Sequence, residues 1–401
     1  MTEPKGLLNR EFIALNGIAF FTYCNLAIFF EFHDYLSTLP IPSMWIGFLI
    51  GAFSLTAFIV RPIVSPLVTV QNSRKWMFIS CCSLIASLTL YNFATGFWSM
   101  VITRVIHGAA YVVTSTSATT RLVSVIPKDK SAQAFGLLSV ISLLPFALVP
   151  PLLKPLTGYF QGFDGVINIS AALMLINLPL IALLKAPRTL DIDEENLFSF
   201  SEIVINLRDQ RIWTLLAINL IVWTSYTAIF FYLKGFGDKI GISNPGYFFT
   251  VSTLTQMVVR VFAGRWFDKI NKKISLMASL ILLIFGYMLI GIVTSPIGFY
   301  SLGLVLGLGW GIILPVINGF LFDVSSPKFR GLNANLATEM FQAGFTLGPF
   351  LGGLVLFSYG YLPLFVLSGL VLLTGIPLTL LLTKERRFVR DRLVGSKPSG
   401  S

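Results

Sequence analysis

Hydrophobic residues in this chain are gathered into long runs separated by short polar links. Each run approaches the ~20 residues that a helix needs to cross a bilayer. Twelve such windows are read, at 12–37, 44–69, 75–95, 97–123, 132–155, 163–184, 212–233, 244–267, 274–294, 297–322, 331–357 and 361–382. They predict twelve membrane-spanning helices and nothing else of comparable size. Residues 185–211 break the rhythm. An acidic patch, Asp191, Asp193, Glu194 and Glu195, leads into SFSEIVINLRDQR, whose alternation suits an amphipathic helix lying along a membrane face. The predicted organisation is a six-helix bundle over 1–184, a linker over 185–211, a second six-helix bundle over 212–383 and a basic tail over 384–401.

Composition agrees with the pattern. The chain is 55% hydrophobic and 12% charged, with 36 Phe and a mean hydropathy of +0.80, which excludes a soluble domain of this length. The net charge of +11 raises nucleic acid as a partner, but its distribution argues against one. With the N-terminus inside, Arg74, Lys75, Lys128, Lys130, Lys185, Arg188, Lys269, Lys272, Lys273 and the tail arginines fall on one face. The other face keeps Lys154, Lys234 and Lys239. This is the positive-inside bias, and it predicts both termini in the cytoplasm, with the lipid bilayer as the surrounding partner. Cys24, Cys81 and Cys82 lie within spans, so neither a disulfide framework nor a metal-finger spacing is expected.

The chain also repeats itself. RVFAGRWFDKINKK, from Arg260 to Lys273, has a weaker twin in RPIVSPLVTVQNSRK, from Arg61 to Lys75 (260 − 61 = 199). Self-similarity at half length predicts two like bundles. Gly264, Asp268, Lys269, Asn271, Lys272 and Lys273 resemble the G-x-x-x-D-R/K-x-G-R/K-R/K loop of the major facilitator superfamily. The first copy departs from it, with Ser65, Thr69 and Asn72 at the glycine, aspartate and second glycine. The run Gly344, Gly348, Pro349, Gly352 and Gly353 resembles the family's G-x-x-x-G-P-x-x-G-G segment, although here it lies in the eleventh span instead of the fifth. The resemblance implies an all-α membrane protein of two pseudo-symmetric six-helix bundles that works as a monomer by alternating access. It implies gating roles for Arg61, Arg260, Gly264, Asp268, Gly348 and Pro349.

Ionisable groups inside spans are costly and are therefore functional candidates. Glu31 and Asp34 share one face at the outer end of the first span. Arg104-x-x-x-Gly108 resembles the family's R-x-x-x-G segment of the fourth span, whose arginine is implicated in proton coupling, and Glu31 is the acid expected to pair with it. His107 lies one turn from Arg104 and titrates near neutrality when unperturbed. Glu339 sits two turns into the eleventh span. These four, Glu31, Arg104, His107 and Glu339, are the candidate proton-coupling residues. Asn25, Asp34, Tyr111, Asn219, Trp223, Tyr226, Asn318 and Gln342 are the candidate substrate contacts. Pro145, Pro150, Pro151 and Pro155 predict that the fifth span bends or breaks.

The expected function is secondary active transport of a small-molecule substrate, coupled to protons and directed outward, in a bacterial inner membrane. Uptake of a nutrient or organic anion, metal-ion transport and a non-transporting receptor are the alternatives. The sequence carries no phosphate-cradling loop and no Ser/His/Asp constellation, so neither an enzyme, a cofactor nor an ATP-driven pump is expected.

Overall fold

The computed structural model describes residues 9–126, 131–185, 200–267 and 271–382. Twelve long helices carry the predicted windows. The first six are α1 (Arg10–Thr38), α2 (Ser43–Leu67), α3 (Ser73–Phe93), α4 (Phe97–Val125), α5 (Ser131–Tyr159) and α6 (Phe163–Ala182). The second six are α7 (Gln210–Lys239), α8 (Tyr247–Phe267), α9 (Lys272–Ile290), α10 (Pro296–Val324), α11 (Pro327–Tyr359) and α12 (Tyr361–Leu381). Among the described residues, eleven of them are long and apolar enough to cross a membrane. The twelfth, α8, carries Gln256 and Arg260 among its apolar residues.

Helix starts follow the sequence. Asn9, Asp209, Asn271 and Ser295 accept backbone N–H groups at the first turns of α1, α7, α9 and α10, supplying partners that a helix start otherwise lacks. In α1 the regular helix gives way to a 3₁₀ turn over Ile28–Glu31 before resuming at Phe32. A short helix, Phe200–Leu207, precedes α7 and is tied to the start of α11 by paired amides of Asn206 and Asn333. An even number of crossings returns the chain to the side where it began. That side is called here the terminal face, and the other the opposite face.

The two halves meet along α2 with α11 and α5 with α8. Glycine makes the first contact close. A Cβ on Gly47 would overlap the carbonyl of Pro349, and one on Gly51 would press on Thr346. The second contact repeats the first, since a Cβ on Gly246 would overlap the carbonyl of Pro150. Both members of the two pairs are related by the same shift (246 − 47 = 199 and 349 − 150 = 199).

The prolines of α5 do not break it. The helix runs unbroken from Ser131 to Tyr159. Pro151 and Pro155 have no N–H to give, which strips the carbonyls of Ala147 and Pro151 of their ordinary partners four residues on. The other half supplies replacements. Thr250 Oγ1 donates to Ala147 O at 2.7 Å and Asn244 Nδ2 donates to Pro151 O at 2.9 Å. The proline run therefore creates acceptors on α5 that the second half fills, as a dry environment demands.

Candidate functional site

Polar groups inside the bundle gather at three levels. The level near the opposite face centres on Lys234 of α7. Its ammonium donates to Asp34 Oδ2 at 2.7 Å and Asp238 Oδ2 at 2.9 Å, and Glu31 Oε1 stands 3.9 Å away. Asp238 lies one turn along the same helix, whereas Glu31 and Asp34 belong to the other half, so this cluster fastens α1 to α7. His33 Nδ1 meets Asp34 Oδ1 at 3.1 Å, and its ring packs edge-on against Tyr232. Glu31, Lys154, Lys234 and Asp238 line a cavity of about 270 Å³. Lys154 also donates across the halves, to the carbonyl of Ser243.

Arg104 does not take part. Its guanidinium donates to Leu49 O at 3.1 Å, Ile50 O at 2.6 Å and Tyr91 Oη at 3.2 Å. It lies over the rings of Phe29, Phe32 and Phe53 at 4.6–5.0 Å and is 2% exposed. The expected Glu31–Arg104 pair is therefore absent. The cause is Gly108, one turn on. A Cβ there would strike the carbonyl of Phe53, so the glycine brings α4 hard against α2, and Arg104 reaches the carbonyls of α2 instead of α1. Carbonyl dipoles and aromatic faces jointly solvate the buried charge.

His107 is held in the same knot. Asn25 Nδ2 lies 3.1 Å from Nε2, and Tyr91 Oη lies 3.1 Å from Nδ1. Read with the amide as donor, Nε2 accepts and Nδ1 carries the proton, which is the demand of a neutral imidazole. Asn25, expected at the substrate, is fully buried in this network.

The middle level is aromatic. Tyr23 faces Phe146, Phe146 meets Phe230 across the halves, and Phe230 stacks on Tyr226. Tyr226 packs on Trp310 and Trp223, and Trp223 on Phe341 and Phe345. Tyr23, Phe146, Trp223, Phe341 and Phe345 are only partly buried, so their rings border open space. Tyr111 is buried against Phe53. Asn219, on the predicted α7 stripe, instead donates to Ala337 O at 3.1 Å and ties α7 to α11. Asn318 is exposed, away from buried Trp310 on the same helix.

The level toward the terminal face carries two arginines. Arg61 Nε lies 3.9 Å from Glu339 Oε1, and Arg61 Nη2 lies 3.5 Å from Ser115 Oγ. Arg260 Nη1 donates to Ser139 Oγ at 2.7 Å. All three contacts bridge helices, Arg61 reaching α11 and α4 and Arg260 reaching α5. Gln342 lies one turn from Glu339 and is 1% exposed. Gly344 and Gly348 let α11 lie against Trp223, Thr224 and Thr227, and the carbonyl of Pro349 accepts the hydroxyl of Tyr232. Asp268 lies outside the described residues, as do the surroundings of Gly264.

Lys234, Asp238, Tyr91 and Ser139 escaped the sequence reading. Lys234 carried one faint signal. It is one of three basic residues on the face that otherwise lacks them, four residues before an aspartate.

The architecture and these polar levels can now be set beside known proteins. The model of the Major Facilitator Superfamily matches residues 12–251 and 241–399. The chain belongs to the Major Facilitator Superfamily. It is a multi-pass transporter of the bacterial inner membrane, not an enzyme. Multidrug resistance protein MdtG of Salmonella schwarzengrund (strain CVM19633) is 24% identical over 348 residues, covering 83% of this chain and 84% of that protein. Multidrug resistance protein 2 of Bacillus subtilis (strain 168) is 23% identical over 164 residues, 37% of this chain and only 41% of that protein. Among solved structures, a bacterial homologue of the human lysosomal transporter Spinster, inward-facing and unoccupied, superposes with a TM-score of 0.80 at 12% identity, over 94% of this chain and 97% of that one. The nucleoside transporter NupG gives 0.74 at 14% identity, over 94% and 100%. At such identities the structural likeness establishes the fold alone.

Proposed function

We propose that the protein exports a small organic compound by alternating access, coupled to protons, with the terminal face in the cytoplasm. The observation that carries the reading is the Lys234 cluster. It joins the halves at one end of an aromatic interior through groups that a proton can neutralise. Protonation of Glu31 removes one of the acids that hold Lys234 and loosens the latch. Opening of the opposite face thereby becomes linked to proton binding. The tight seams at Gly47–Pro349 and Gly246–Pro150 are where the halves turn on one another. Glu339 and its Arg61 partner form a second titratable contact, toward the terminal face.

In this reading Arg104 and His107 brace α4, α1 and α2 and carry no protons. The outward direction draws support from the multidrug relatives, whose identity to this chain is low. Purified protein in liposomes, with internal pH recorded while pools of compounds are added, tests the proposal. A compound-dependent proton flux is expected. Cargo movement without proton flux would reduce the latch to a structural ion pair.

A further inference from the structure

The buried polar atoms of the third level do not balance. Arg61 Nε, Arg260 Nε and Gln342 Nε2 are donors without a partner, and Glu339 Oε2 is an acceptor without one. An unsatisfied buried donor is costly, and each such group calls for an occupant. Among the described residues, formal charge points the same way, with two arginines against a single carboxylate. That carboxylate holds Arg61 only loosely, at 3.9 Å, and Arg260 has a hydroxyl as its partner. Gln342 shares a helix face with Glu339, the partner of Arg61. It falls on the stripe of α11 that runs from Glu339, beside Arg61, to Thr346, against Gly51, so it faces α2.

Above these groups lie the half-buried rings of Trp223, Phe341 and Phe345. Resting on the transport reading above, we infer that the cargo is an aromatic organic anion, its rings on the Trp223–Phe345 wall and its anionic group on Arg61 and Gln342 or on Arg260. An incoming carboxylate would replace Glu339 as the close partner of Arg61. A lipophilic cation would suit the rings equally well. It would, however, meet three donors and one acceptor, the opposite of what it needs. Arg104, the other buried arginine considered for transport, is sealed against the carbonyls of α2 and out of reach.

The test is equilibrium binding to the full chain in detergent, which does not depend on whether transport is coupled to protons. The probes are aromatic carboxylates of one to three rings, each matched with its primary amide and its aminomethyl analogue, and the readout is thermal stabilisation. Carboxylates are expected to bind at least about tenfold more tightly than their amides, the factor set by one charge-assisted hydrogen bond. Arg61→Gln or Arg260→Gln should erase that preference. Arg61→Lys and Arg260→Lys, which keep the charge and guard against a misfolded variant, should retain part of it. Equal or tighter binding of amides or amines, no binding of any carboxylate at millimolar concentration, or a preference that survives both glutamine substitutions would overturn the assignment. Carboxylate binding without proton-linked movement in liposomes would leave the anion site standing and remove the coupling.

Discussion

Asp34 and Asp238 both hold Lys234, yet only Asp34 belongs to the opposite half, and this difference separates a latch from a surface ion cluster. Asp34→Asn removes the charge from the 2.7 Å contact across the halves. A charge-assisted hydrogen bond contributes about 1.5–3 kcal/mol. The side chains of Lys234 and Asp34 are 19% and 32% exposed, so the low end of that range applies. About 1.4 kcal/mol is a tenfold change in an equilibrium. The ratio of open to closed opposite face should therefore rise about tenfold. Asp238→Asn breaks a contact within α7, between residues four apart and with the acid 43% exposed. Such pairs contribute about 0.3–0.5 kcal/mol and say little about how the halves sit, so a change of about twofold at most is expected. Spin labels at Phe93→Cys and Thr294→Cys, exposed positions on the opposite face of the two halves, report the separation by pulsed EPR once the three native cysteines are replaced. The latch argument fails if Asp238→Asn opens the face as much as Asp34→Asn, or if Asp34→Asn leaves the distance distribution unchanged.

Other substitutions probe the parts assigned to structure. Arg104→Met should lower thermal stability strongly, by about 3 kcal/mol or more, because two carbonyl contacts and the Tyr91 hydroxyl lose a charged donor together; a variant that stays stable but loses coupled transport would return Arg104 to the transport machinery. Thr250→Val leaves the carbonyl freed by Pro151 without a donor in a dry seam, at about 1–3 kcal/mol, and should favour separation of the halves in the same EPR assay. The double change Thr250→Val with Pro151→Ala restores a backbone partner for Ala147 O and should recover most of that loss. Gly47→Val and Gly246→Val should each prevent the halves from closing, since the added side chain meets backbone carbonyls that cannot move aside; substrate transport then falls while surface expression persists.

The sequence displayed the scaffold far better than the chemistry within it. Span positions follow from burial in lipid, which acts locally on every residue of a run, and the halves were visible because the Arg61 and Arg260 segments share a spacing. The glycines of α11 pack as a small-residue face should. Partners were another matter. The residues that hold Glu31 come from α7, some two hundred positions away, and nothing local to Glu31 distinguishes Lys234 from Arg104. Arg104 was assigned an acid because a buried guanidinium needs one or its equivalent. Backbone carbonyls supplied the equivalent, and they have no signature in a sequence. That the prolines of α5 leave the helix unbroken could not be read locally either, since the donors that replace the lost partners, Thr250 and Asn244, lie in the other half.

Coupling through Glu31 is the centre of the account, and one pair of assays on Glu31→Gln tests it most directly. In liposomes, substrate counterflow measures movement of the halves around the cargo, whereas substrate accumulation driven by a pH gradient measures coupling. The account predicts that Glu31→Gln keeps counterflow near the wild-type rate and loses the pH-driven accumulation. Accumulation equal to wild type would contradict it, and the proton would then have to be sought at Glu339.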